Sequence, residues 1–132
     1  IREVATGKIV ISVSHPLGVH YKDRVTSQDT SSAEELQKLL PHSKVVKTFN
    51  TALPADSGSP GSDHKGAESF IASNSANALE VAAKIVTAAG FNPVVVGDLS
   101  ASRTLERVRL KLIHVALKSN YNWYTGWNIL HN

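Results

Sequence analysis

Val45-Val46-Lys47-Thr48-Phe49-Asn50-Thr51 is an apolar, β-branched run that stops abruptly on an uncharged polar pair, Asn50 and Thr51. A second run of the same kind, Lys8-Ile9-Val10-Ile11-Ser12-Val13, ends in Ser14-His15-Pro16. Near-continuous apolar runs of this length belong to strands covered on both faces, the habit of parallel sheets. Ligands of open parallel sheets lie just beyond the carboxyl ends of the strands. Hydrogen-bonding side chains at two such ends therefore predict a crevice there.

Outward from these runs the chain alternates. Pro16 and Gly18 break the first strand, and the polar residues 17–31 read as loop. Ser31 or Ser32 followed by Glu34 and Glu35 predicts a helix that runs to about Leu40 and stops at Pro41. Residues 44–50 form the second strand. The segment 52–66, with Pro54, Gly58, Pro60, Gly61 and Gly66, is predicted to be a flexible loop and a candidate flap. A short strand, Ser69 to Ser73, follows. Asn74 or Ser75 can cap a helix with Leu79, Ala82, Ala83, Val86 and Ala89 at helical spacing, ended by Gly90. Pro93 to Val96 is a fourth strand. Ser100 is expected to cap a last helix whose apolar stripe is Leu105, Val108, Leu112 and Val115. Strands separated by helices predict a layered α/β fold with a largely parallel sheet.

Composition narrows the class. With 132 residues the chain fits one domain that buries roughly two-thirds of the surface its unfolded chain exposes. Apolar residues make up 42% and charged residues 19%, and no apolar stretch is long enough to span a bilayer. The net charge of +3 is modest, and the group Arg103, Arg107, Arg109 and Lys111 reads as a solvated helix face, not a nucleic-acid site. Cysteine is absent, which excludes disulfides and thiolate metal sites, and the histidines show no metal-ligand spacing. The chain contains no methionine and opens on Ile1, from which a processed or partial chain is expected.

Taken together, Gly7-Lys8-Ile9-Val10-Ile11-Ser12-Val13-Ser14-His15-Pro16, Glu35 to Pro41, Lys44 to Thr51, Ala89-Gly90-Phe91 and Gly97 to Glu106 carry a family resemblance. The chain resembles the NADPH-dependent oxidoreductases related to the deazaflavin-coenzyme reductases and to the cytosolic domain of the six-transmembrane metalloreductases. The tail Trp123-Tyr124-Thr125-Gly126-Trp127 is similar to the aromatic ending of small dinucleotide-binding oxidoreductases in this group. The resemblance implies a Rossmann-like domain, of which residues 1–132 are the C-terminal part, with an aromatic tail at 119–132. It implies NADP as cofactor, a flavin-like or other small redox acceptor, a cytoplasmic setting, no nucleic-acid or membrane partner, and a homodimer as one arrangement. Carried over, Ser14, His15, Pro16, Asn50 and Thr51 are the cofactor-binding residues, near the nicotinamide.

Two departures qualify this. The family has asparagine where this chain has His15, and it begins with a strand, a glycine-rich turn and a helix that these residues do not contain. That turn and helix N-terminus hold the pyrophosphate, so much of the cofactor affinity is expected to come from outside the sequence. Ile1 to Thr6 are expected to be the end of a helix.

Each candidate has a bland reading beside it. Ser14 either bonds a carboxamide or caps the turn before Pro16. His15 either assists proton transfer near neutral pH or is merely solvated. Arg103 and Glu106, one helical turn apart, are expected to pair with each other. The tail rings cover a core edge or a dimer interface, or lie beside a cofactor. No catalytic acid or base is expected, since the cofactor supplies the reactivity. The competing expectation is a non-catalytic Rossmann-like binding or assembly module.

Overall fold

The computed structural model describes residues 1–18, 26–51, 67–121 and 127–131. After a short helix α1 (Arg2–Ala5), Gly7 takes a positive φ of 72° and its N–H bonds the carbonyl of His42, which turns the chain into β1 (Ile9–Ser12). Helix α2 (Ser32–Leu39) starts at Ser31, whose hydroxyl accepts the N–H of Glu34, and ends ahead of Pro41. Strand β2 (Lys44–Lys47) is parallel to β1, with Ile11 opposite Val46. Strand β3 (Glu68–Ser73) runs antiparallel to β2, and β4 (Asn92–Gly97) is parallel to β3. The sheet order is β1-β2-β3-β4.

The sheet is thus Rossmann-like and mostly parallel, with one antiparallel pairing at β2/β3 that the strand–helix alternation did not reveal. The expected loop at 52–66 lies outside the described residues.

Period-two alternation sorts the side chains of β1, β2 and β3 onto two covered faces, whereas β4 at the other sheet edge is largely exposed. Ile9, Ile11, Val46 and Ile71 pack with Ala78, Ala82 and Val86 of α3 (Ala76–Ala88), while Val10 and Val45 pack with Ala33, Leu36 and Leu99 on the other face. The cap of α3 is Ser75, not Asn74. Its far end is a Schellman motif: Gly90 at φ 89° donates to Thr87, and Phe91 donates to Val86 and packs on the core.

Three local expectations are corrected. Strand β2 stops at Lys47, three residues short of Asn50, because Phe49 adopts a left-handed φ of 57°. That twist breaks the alternation and swings the Phe49 ring to the α3 side, edge-on to Phe91 at 6.2 Å between centroids. Asp98, not Ser100, supplies the cap: its carboxylate accepts the N–H of Ser100 in a 3-10 turn (Leu99–Ala101), and α4 (Ser102–Lys118) begins after it. The buried face of α4 is Ser102, Leu105, Glu106, Arg109, Leu112, Ile113 and Ala116, whereas Val115 is exposed. Arg109 is only 7% exposed, so the basic group on α4 is not wholly a solvated face.

Candidate functional site

Because β1 and β2 are parallel and in register from Ile9/Lys44 to Ser12/Lys47, their carboxyl ends leave the sheet at one edge. Alternation puts Lys47 on the same face as Val45, beneath α2 and α4. There its ammonium donates to the Ser14 carbonyl, to Ser32 Oγ at 3.2 Å and to Glu106 Oε1 at 3.2 Å. Both charged side chains are fully buried. Glu106 Oε1 also accepts the Ser32 N–H at 2.9 Å and the Ser32 hydroxyl. A carboxylate thus sits on the N-terminus of α2, where the helix dipole favours it.

The expected pair between Arg103 and Glu106 is therefore absent, because the i, i+3 spacing places Glu106 on the buried face of α4 and Arg103 on its margin. Arg103 instead forks onto Glu34 of α2, with contacts of 2.6 to 3.1 Å, and its guanidinium holds the Glu34 carboxyl below the ordinary value.

Asn50 and Thr51 are both completely buried. They differ in their partners. Thr51 Oγ1 accepts the N–H of Phe70 at 3.4 Å, and Thr48 and Ser69 share a hydroxyl contact at 3.1 Å, so these groups lace the end of β2 to the start of β3. Among the described residues, the Asn50 side-chain amide has no hydrogen-bond partner on either its oxygen or its nitrogen. A buried amide left unpaired costs about 1–3 kcal/mol, so such a group, next to a left-handed Phe49, calls for a physical explanation.

Ser14 donates to Ser32 Oγ at 3.1 Å and is shared with Ser12 at 3.3 Å, which ties the turn to α2. The carbonyl of His15 accepts the N–H of Leu17, and Pro16 stands between them. His15 does not behave as a solvated loop histidine titrating near neutrality. Burial first, then the charges of Arg109 and Lys47, lower its pKa from 6.5 to about 4, and its Nδ1 is buried without a partner among the described residues. At neutral pH it is an uncharged imidazole.

The sign of that shift makes a prediction. The folded protein binds the His15 proton less readily than the unfolded chain, so the contribution is complete above pH 6.5 and is lost as pH falls toward about 4. At about 1.4 kcal/mol per pKa unit, discounted for partial exposure, the loss is about 1–2 kcal/mol. Urea unfolding at a series of pH values should show a flatter acid limb for His15→Gln than for the parent. Parallel limbs would refute the assignment.

Sequence reasoning missed Lys47, Glu106, Ser32 and Arg109. The available signal was phase: Glu106 and Arg109 share the helical spacing of Leu105, Leu112 and Ile113. In the tail, Trp127 packs against Leu112, Ile113 and Ala116, and its carbonyl accepts the N–H of Glu68, which is the core-edge arrangement; Trp123 and Tyr124 lie outside the described residues. Two surface clefts of about 320 and 450 Å³ lie at the opposite end of β1 and β2, around Pro41, Ser43 and Lys44. They share no residue with the polar edge. Among the described residues no helix is long and apolar enough to cross a membrane.

A mostly parallel sheet with flanking helices and a polar edge at the carboxyl ends of β1 and β2 defines a Rossmann-like α/β protein. No family model matches the chain. It is 31% identical over 112 residues to mouse (Mus musculus) metalloreductase STEAP2, and 31% identical over 107 residues to rat (Rattus norvegicus) metalloreductase STEAP3. These alignments cover 85% and 81% of this chain but 22% and 21% of the relatives, so the chain spans about a fifth of their length. A crystal structure of an Arthrobacter sp. FB24 protein assigned as an F420-dependent NADP-reductase superposes with a TM-score of 0.78 at 26% identity, over 98% of this chain and 60% of that one. A hypothetical protein from Sinorhizobium meliloti gives a TM-score of 0.60 at 31% identity, over 74% of this chain and 48% of that one. The resemblance to the NADP-reductase group is thus met in both sequence and fold.

Proposed function

We propose that the chain is the nicotinamide-side part of an NADP-dependent oxidoreductase that moves hydride between the nicotinamide and a flavin-like or other small redox acceptor. The observation that carries the reading is the Asn50 amide, fully buried and without a partner among the described residues, just beyond the carboxyl end of β2. A carboxamide offers one acceptor and one donor group, the complement of what Asn50 leaves unmatched. The residues present therefore fit the nicotinamide end of the cofactor, and the similarity to reductases supports NADP as its identity. The reading carries with it the cytoplasmic setting that the resemblance implies.

The bound cofactor would supply the hydride chemistry, and the protein supplies position and exclusion of water. Asn50 orients the ring through its carboxamide. Ser14, His15 and Pro16 form the facing wall, with His15 uncharged at neutral pH and so available only as a neutral hydrogen-bonding group. Thr51 holds the end of β2 against β3. Calorimetric titration of the intact protein with NADPH and NADH, followed by loss of NADPH absorbance on adding a flavin or deazaflavin, tests the proposal. Micromolar NADPH binding with acceptor-dependent oxidation is expected. Binding without turnover to any such acceptor would favour the non-catalytic module, and no binding of either nucleotide would sink the oxidoreductase reading and leave the assembly module.

A further inference from the structure

We propose that Lys47 and Glu106 are a positioning pair that fixes the turn Ser14-His15-Pro16 relative to Asn50; the inference rests on the functional reading above. Lys47 lies three residues before Asn50 on the same segment, and its ammonium bonds the carbonyl of Ser14 on the neighbouring strand end. The two walls of the candidate nicotinamide site are therefore joined through one buried side chain. Glu106 reaches the same point from α4, accepting from Lys47 and from the backbone N–H of Ser32 at the start of α2. Four elements, β1, β2, α2 and α4, meet at this cluster. The Ser14 hydroxyl bonds Ser32 as well, so the turn is gripped at both its carbonyl and its side chain.

The charges themselves argue for such a role. Burying a lysine and a glutamate together gives little net stability compared with apolar residues of the same size, because desolvation consumes the attraction. Val45 and Val46 beside Lys47 show that this stretch accommodates apolar side chains. What an apolar residue cannot do is hold the Ser14 carbonyl at a set place.

The test removes the pair as a pair, so that no single charge is left stranded. In the intact protein, Lys47→Met with Glu106→Gln keeps the volumes and leaves a side-chain oxygen for the Ser32 N–H. Hydrogen exchange should speed about tenfold or more at residues 14–17 and stay unchanged at 69–73 in β3. The kcat for NADPH-dependent hydride transfer should fall about 10- to 100-fold, as a displacement on the ångström scale produces, with KM for NADPH within a few-fold. If this double variant fails to fold, Lys47→Leu with Glu106→Gln, which likewise strands no charge, decides by the same readings. Uniform loosening of both segments would reduce the pair to a structural role and overturn the proposal, as would an unchanged turn or an unchanged kcat. Absence of turnover in the parent protein would count against the proposed function instead, and the exchange pattern then decides whether the pair holds the turn.

Discussion

Replacing Asn50 by leucine is expected to lower kcat/KM for NADPH oxidation by about 10- to 100-fold while leaving the unfolding midpoint unchanged or raised. The two halves of that result come from one fact, the unpaired amide in a fully buried position. Without a ligand, the amide is desolvated and receives nothing in return, a cost of about 1–3 kcal/mol that leucine avoids at similar volume. With the cofactor in place, one or two hydrogen bonds to the carboxamide are lost, and about 1.4 kcal/mol per tenfold sets the expected range. Steady-state kinetics and urea unfolding on the same preparation check both. A residue that merely stabilised the turn would give the reverse, a clear loss of stability with kinetics unchanged in the surviving fold. Thr51→Val is the internal contrast: its hydroxyl accepts the Phe70 N–H, so that change should cost stability as well.

Much of this arrangement was legible in the residues. The runs 8–13 and 44–50 announced two parallel strands whose ends lie together, of which β2 is buried and the edge strand β1 only half-buried, and Ser31, Ser75 and Gly90 stand at the helix ends as local chemistry demands. What escaped the sequence was nonlocal. Nothing between Thr51 and Ser69 states that β3 returns antiparallel, because strand direction depends on what covers the sheet and not on the strand itself. Phe49 carries no mark of its left-handed backbone, which glycine or asparagine would have announced. Glu106 and Arg109 were misread for a related reason. A charged residue on a helix is ordinarily solvated, and only the third dimension reveals that the ammonium of Lys47 waits opposite Glu106. His15 likewise reads as a neutral-pH titrant until burial and two nearby cations are known.

The buried ion pair supplies the largest expected effect on stability, and its magnitude depends on how it is removed. Lys47→Ala leaves the Glu106 carboxylate without its countercharge in the interior, and Glu106→Ala leaves the ammonium in the same condition. Each should cost about 3–5 kcal/mol, enough to threaten a domain of ordinary stability. Lys47→Met together with Glu106→Gln should cost less than either, because the expense lies in stranding one charge and not in losing the attraction. Urea unfolding of the parent, Lys47→Ala, Glu106→Ala and the double variant Lys47→Ala/Glu106→Ala forms a double-mutant cycle, with an expected coupling of at least about 2 kcal/mol. Additive losses would mean that the two side chains act independently and that the contact of 3.2 Å carries no energy of its own. The opposite sign of sensitivity at Asn50 follows from the same physics. Lys47 and Glu106 are buried charges that satisfy one another inside the protein, whereas the Asn50 amide is a buried polar group with no partner among the described residues, which the proposed site would supply with the cofactor carboxamide.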